Sequence, residues 1–162
     1  MPVVLDTNVL LSLYVFRDSR YAAIRRALED GRWSALTSDA CFNEYRRVLA
    51  YPLFGLDSNS QTSALDSYAA IASCIAAVSA MTAPLPQCAD RDDQKFLELA
   101  RDGGAALLVT SDKALLRLAR RERLHGLFRI VTPDMALGLI AAGDSVIVGM
   151  ENGTSDANSH TR

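Results

Sequence analysis

The chain has 162 residues, 49% of them hydrophobic and 22% charged, enough apolar content for one domain with its own core. Its net charge of −2 at pH 7 gives no long-range attraction to nucleic acid, so any such contact requires a local basic patch. No stretch approaches the roughly 20 apolar residues of a spanning helix, and no basic segment leads into a long apolar one at the start, so the expectation is a cytoplasmic protein with no membrane contact.

Pro2-Val-Val-Leu5 is a short β-branched and apolar run, and Asp6-Thr7 then supplies a helix-start signal. A strand feeding a helix over Asn8 to Phe16 therefore opens the chain. Tyr21, Ile24 and Leu28 form one stripe of a second helix from Arg20 to Asp30, stopped by Gly31. Trp33 to Leu36 reads as a strand. Thr37-Ser38 caps the next helix, whose Cys41, Tyr45, Val48 and Leu49 have the i, i+4, i+7, i+8 spacing of a buried face, and which ends near Tyr51-Pro52.

Gly55 to Ser60 reads as a polar loop. The alanine-rich stretch from Ser63 to Met81, with Leu65, Tyr68, Ile71, Ile75 and Val78 at helical spacing, predicts the longest helix. Pro84-Leu-Pro86 marks an extended connection, after which Asp92 or Asp93 starts a helix bearing Phe96, Leu97, Leu99 and Ala100 and stopped by Gly103-Gly104. Ala105 to Thr110 is the clearest strand. Asp112 starts a helix through Arg121, Phe128 to Val131 returns as a strand, and Pro133-Asp134 opens a last helix to Ala142.

This alternation predicts a three-layer α/β/α sandwich around a mainly parallel sheet, spanning residues 1–142. Residues 143–162 read as an extension, with Val146-Ile-Val148 a candidate edge strand and the polar stretch from Asn152 to Arg162 expected to be mobile. Cys41, Cys74 and Cys88 match neither a disulfide framework nor a zinc pattern and read as buried thiols.

Four acidic clusters carry the chemical signal. Asp6 and Asp112 lie just beyond predicted strand ends, where open parallel sheets place ligands, although each residue type there also serves as a helix N-cap. Glu44 sits on the Cys41, Tyr45 and Val48 stripe. An unpaired carboxylate there costs several kcal/mol, so it must pair with Arg46, Arg47 or another arginine, be protonated, or bind a cation. Asp93 extends the apolar face of Phe96, Leu97 and Ala100, and Asp90 stands three residues before it; a capped helix start explains Asp92 better than Asp93.

Carboxylates gathered within about 4 Å repel by about 4 kcal/mol per pair at an effective dielectric near 20, a penalty that a hard divalent cation removes. Oxygen-only ligands, with neither His125 nor His160 at ligand spacing, point to Mg²⁺ or Mn²⁺. Lys113, Arg117, Arg120 and Arg121 share one side of the predicted helix after Asp112, either as a face that grips phosphates or as an ordinary solvated one. A phosphotransfer enzyme with Asp6 as nucleophile would want a second Asp two residues on or a well-placed Lys, and position 8 is Asn.

The motifs Val-Leu-Asp6-Thr-Asn8-Val, Glu44 in a helix entered through Thr37-Ser38, Asp90-x-Asp92-Asp93-x-Lys95-Phe96-Leu97-x-Leu99-Ala100, and Leu-Val-Thr110-Ser-Asp112-Lys-x-Leu-Leu116 occur in that order. Together they resemble the PIN-domain nucleases, and more narrowly the branch of toxins from toxin–antitoxin pairs, over a stretch from Val3 to Ala142. The resemblance implies that Asp6, Glu44, Asp93 and Asp112 are the catalytic, metal-holding quartet, with Asp90 at its rim. It also implies that Asn8, Thr110 and Ser111 bond to the carboxylates or to water on the metal. Arg91 and Ser111 stand where that branch is expected to carry Pro and Gly.

The implied activity is Mg²⁺- or Mn²⁺-dependent ribonuclease action, a metal-activated water leaving 5′-phosphate and 3′-hydroxyl ends. A cognate antitoxin protein and a homodimer are the implied partners. Two alternatives stay open: an RNA-processing nuclease outside any toxin–antitoxin pair, and a catalytically weak binding module of the same fold.

Overall fold

Val3, Val4 and Leu5 are all buried in succession, so the first strand cannot alternate between core and water and must be covered on both faces. A computed structural model, which describes residues 1–76, 83–121 and 124–143, shows the covering. Strands β1 (Pro2–Leu5), β2 (Ser34–Thr37), β3 (Ala72–Cys74), β4 (Leu107–Val109) and β5 (Arg129–Val131) form one parallel sheet in the order β3-β2-β1-β4-β5.

Val3 and Leu5 face one cluster, built from α1 (Thr7–Leu10), α2 (Ala22–Glu29), α4 (Ser58–Ala69) and α7 (Pro133–Ala141). Val4 faces the other, built from α5 (Gln94–Asp102) and α6 (Lys113–Leu116). The helix α3 (Asp39–Leu49) contributes to both, Tyr45 and Leu49 to the first and Cys41 to the second. This is the expected three-layer α/β/α arrangement, and every sheet pairing is parallel.

Several local expectations need correction. The alanine-rich helix starts earlier and ends sooner than its composition suggests, because Asp57 caps it by accepting from the Ser60 amide at 2.8 Å, and the chain after Ala69 turns into β3. The reason is the open edge of β2: Ala35, Leu36 and Thr37 pair with Ala72, Ser73 and Cys74, and the Ile75 amide donates to the Thr37 carbonyl at 2.8 Å. Ladder bonds on an otherwise bare strand edge outweigh a helix propensity of a few tenths of a kcal/mol per residue.

The expected helix over Asn8 to Phe16 is α only to Leu10. It continues as a π turn over Leu11–Val15, closed by the Phe16 amide on the Leu11 carbonyl at 2.9 Å, and Arg17 then adopts a left-handed φ of 48°. The helix expected from Asp112 to Arg121 stops at Leu116, and the Leu118 and Arg121 amides reach back three residues instead of four. Tighter winding brings Leu115 and Leu118, both buried, to the same side. It also means that Lys113, Arg117, Arg120 and Arg121 do not ride one continuous α-helical face.

Cys41 and Cys88 are buried thiols as expected, whereas Cys74 is exposed on the edge strand, its Sγ 3.6 Å from Asp39 Oδ1. The proposed edge strand at 146–148 and the polar tail lie outside the described residues. Among the described residues no helix is long and apolar enough to cross a membrane.

Candidate active site

The chain runs from β1 outward to β2 and β3, then returns to place β4 on the opposite side of β1. Strand order therefore reverses between β1 and β4, and the crevice at their C-terminal ends is where such sheets receive ligands. Leu5 lies opposite Val109, so the residues that follow them, Asp6 and Thr110, meet across the reversal.

Asp6 is 3% exposed. Its Oδ1 accepts from the Val9 amide at 2.9 Å, and its Oδ2 accepts from the Thr110 hydroxyl and from the Ser111 amide at 3.3 Å. Burial raises its pKa above the ordinary value against the pull of these bonds, and the charge of Asp112 adds a smaller push. Thr110 is fully buried, and its Oγ1 also accepts from the Asp112 amide at 2.9 Å, so one hydroxyl ties the two acidic positions together.

Asp112 Oδ1 accepts from the Ala114 and Leu115 amides at 2.7 and 3.2 Å. Capping a helix and belonging to the site are therefore compatible here. The cap occupies one oxygen, and among the described residues Oδ2 has no donor.

Glu44 projects from α3 with its carboxylate beside α1 and α5. Its Oε2 accepts from the Thr7 hydroxyl at 3.0 Å and pairs with Lys95 Nζ at 3.2 Å. The expected arginine partners do not serve: Arg46 bonds Asn43 Oδ1 at 3.0 Å and lies over the Phe42 ring. Asp93 accepts no side-chain hydrogen bond among the described residues. Its pKa is pushed up to about 6, first by burial and then by the charges of Asp112, Asp90 and Glu44, with Lys95 pulling the other way. Asp93 thus lies within electrostatic reach of Asp90 in its own turn and of acids from two other segments, Glu44 and Asp112.

The remaining expected residues divide. Asp90 is exposed and caps the turn Arg91–Asp93, accepting from the Asp92 amide at 2.9 Å. Ser111 contributes its backbone amide to Asp6, and its φ is not positive, so a side chain where glycine was expected brings no backbone strain. Asn8 is exposed, and among the described residues its side chain bonds to no carboxylate. Lys113, Arg117, Arg120 and Arg121 are exposed and, among the described residues, carry no ion pair.

Thr7 and Lys95 are the two contributors that sequence reasoning passed over. Thr7 was read as a helix-start residue, and its buried position between two acids needs tertiary structure to see. Lys95 stood in the quoted motif, and its spacing of two from Asp93 was the available signal. Among the described residues no three His, Cys, Asp or Glu side chains stand as a ready-made metal-binding group.

A parallel sheet with Asp6 and Asp112 joined through Thr110 at its point of reversal defines an α/β protein whose candidate site lies at the C-terminal edge of its strands. Residues 2–114 match the PIN domain, and the chain belongs to the PIN-domain family, within the nuclease superfamily. Comparison with curated proteins gave no match.

Proposed function

We propose that this protein is a divalent-metal-dependent ribonuclease acting as the toxin of a type II toxin–antitoxin pair. The observation that carries the reading is the meeting of Asp6 and Asp112 through Thr110 at the β1/β4 reversal, with the pKa of Asp93 raised first by burial and then by the charges of Asp112, Asp90 and Glu44. The donor set suits a hard cation. It is oxygen only, Asp6 is desolvated, and Asp93, Glu44 Oε1 and Asp112 Oδ2 accept no hydrogen bond among the described residues.

Mg²⁺ or Mn²⁺ bound to these acids would polarise a phosphoryl oxygen and acidify water. The protein's own part is positioning and proton transfer. Asp6 is fixed through both oxygens, while Thr7 holds Glu44 toward the cluster. Asp93, which accepts no hydrogen bond among the described residues, would orient the attacking water and take its proton. Attack in line with the departing 3′ oxygen leaves 5′-phosphate and 3′-hydroxyl ends. Lys113, Arg117, Arg120 and Arg121, free of ion pairs among the described residues, are available to the RNA backbone. An antitoxin protein and a second copy of the chain are the partners this reading supplies.

The test is cleavage of RNA in Mg²⁺ or Mn²⁺ against an EDTA control. Wild-type protein should cleave only with metal, and Asp6→Asn and Asp112→Asn should each lose at least a hundredfold in rate; full activity in both variants refutes the assignment. A second reading, a catalytically weak binding module, is favoured by the lack of a preassembled ligand group among the described residues. RNA binding by wild-type protein without metal-dependent cleavage would select it.

A further inference from the structure

Glu44 and Lys95 are both mostly buried, their side chains 17% and 20% exposed, and they pair at 3.2 Å. Lys95 is the one cation, among the described residues, in an ion pair with any of Asp6, Glu44, Asp93 and Asp112. Its ammonium also donates to the Asp92 carbonyl and lies 5.1 Å from the Phe96 ring centroid. A flexible side chain therefore holds its charge against the acidic cluster from within the same helix that follows Asp93.

We propose that Lys95 is an internal counter-cation of the acidic site, a positioning residue that occupies Glu44 until a divalent ion displaces it. This rests on the metal-dependent reading above. Three features of the geometry support exchange over permanent occupancy. Lys95 is paired with Glu44 at Oε2, and Oε1 accepts no hydrogen bond among the described residues. Thr7 holds the same Oε2 at 3.0 Å, so Glu44 keeps its place when the ammonium leaves. Lys95 also borders two surface clefts, one lined by Ser38, Asp39 and Leu99 and the other by Gln87, Arg91 and Gln94, so the displaced ammonium has open space on either side.

The consequence is competition. A divalent ion entering the cluster meets a protein-borne positive charge, and its binding is weakened by the work of moving that charge away.

Full-length wild type, Lys95→Met, Lys95→Arg and Glu44→Gln are titrated with Mn²⁺, the free ion being read by its paramagnetic resonance signal. Melting midpoints are measured in EDTA and in Mn²⁺. K95M should bind Mn²⁺ at least tenfold more tightly, about 1.4 kcal/mol. It should also melt lower than wild type in EDTA and gain more from Mn²⁺, whereas K95R should follow wild type and E44Q should bind Mn²⁺ less tightly. Equal or weaker binding by K95M, beside a wild type that binds, overturns this inference alone. No Mn²⁺ binding by wild type overturns the metal reading and this inference with it. Should K95M fail to fold, Lys95→Gln provides the same comparison.

Discussion

A hydroxyl can donate one hydrogen bond while accepting another, and Thr110 does both, giving its proton to Asp6 Oδ2 and receiving the Asp112 amide. That dual use lets a fully buried residue fix two acids without adding a charge. Asp93 is the contrasting case, a carboxylate with acidic neighbours and, among the described residues, no hydrogen-bond donor. Its folded pKa of about 6 exceeds the ordinary 3.8, so the folded state holds the extra proton. The resulting stability is fully present below the unfolded value and is lost as pH rises through about 6. In EDTA, wild-type protein should therefore gain roughly 1 kcal/mol, after discounting for solvent screening, on acidification from about pH 7 to about pH 5 relative to Asp93→Asn. Melting curves of the two proteins across that range check it, and parallel curves would show that Asp93 is not perturbed. Asp6 acts in the same direction, its pKa being raised chiefly by burial.

Elements show how far local pattern reaches. The helices α2, α3, α5 and α7 were legible from apolar stripes and their start and stop residues, because burial of one face decides them. Two regions were not. Ala72 to Cys74 are drawn out of an alanine-rich helix by the unpaired edge of β2, a demand that comes from residues far away in sequence. After Leu116 the chain tightens to three-residue turns, which the sequence pattern does not reveal because the i, i+3 spacing of Leu115 and Leu118 suits an α-helix equally well. Within the site, Asp6 and Asp112 were visible as strand-end acids. The partner of Glu44 was not, since Lys95 reaches it only once α3 and α5 pack together. The region around α6 carries its own prediction. If Lys113 and Arg117 contact RNA phosphates, the K113A/R117A double variant, assayed in EDTA to prevent cleavage, should bind RNA more weakly. Its log–log salt slope should be shallower by about 1 to 2. Filter binding over a range of salt concentrations measures it, and an unchanged slope removes these residues from the interface.

At the scale of the whole molecule, the alternation of strands and helices was legible but the strand order was not, because parallel neighbours are chosen by non-local packing. The family match covers residues 2–114, and α7, which follows it, buries Ala136 in the same cluster as Val3 and Ile24. A chain truncated after Ala142 should therefore fold with a melting midpoint within a few degrees of full length. A loss of cooperative melting would show that residues 143–162 belong to the domain. The pairing of β1 with β4 also sets a schedule for synthesis. Asp6 leaves the ribosome well before the threonine that bonds it, which is 104 positions later. Until that segment emerges, Asp6 remains hydrated and the reversal point does not exist. Since contacts of such long sequence separation form late and slowly, an incomplete chain has no assembled acidic site, and any capacity to cut RNA arises only when nearly the whole domain has been made.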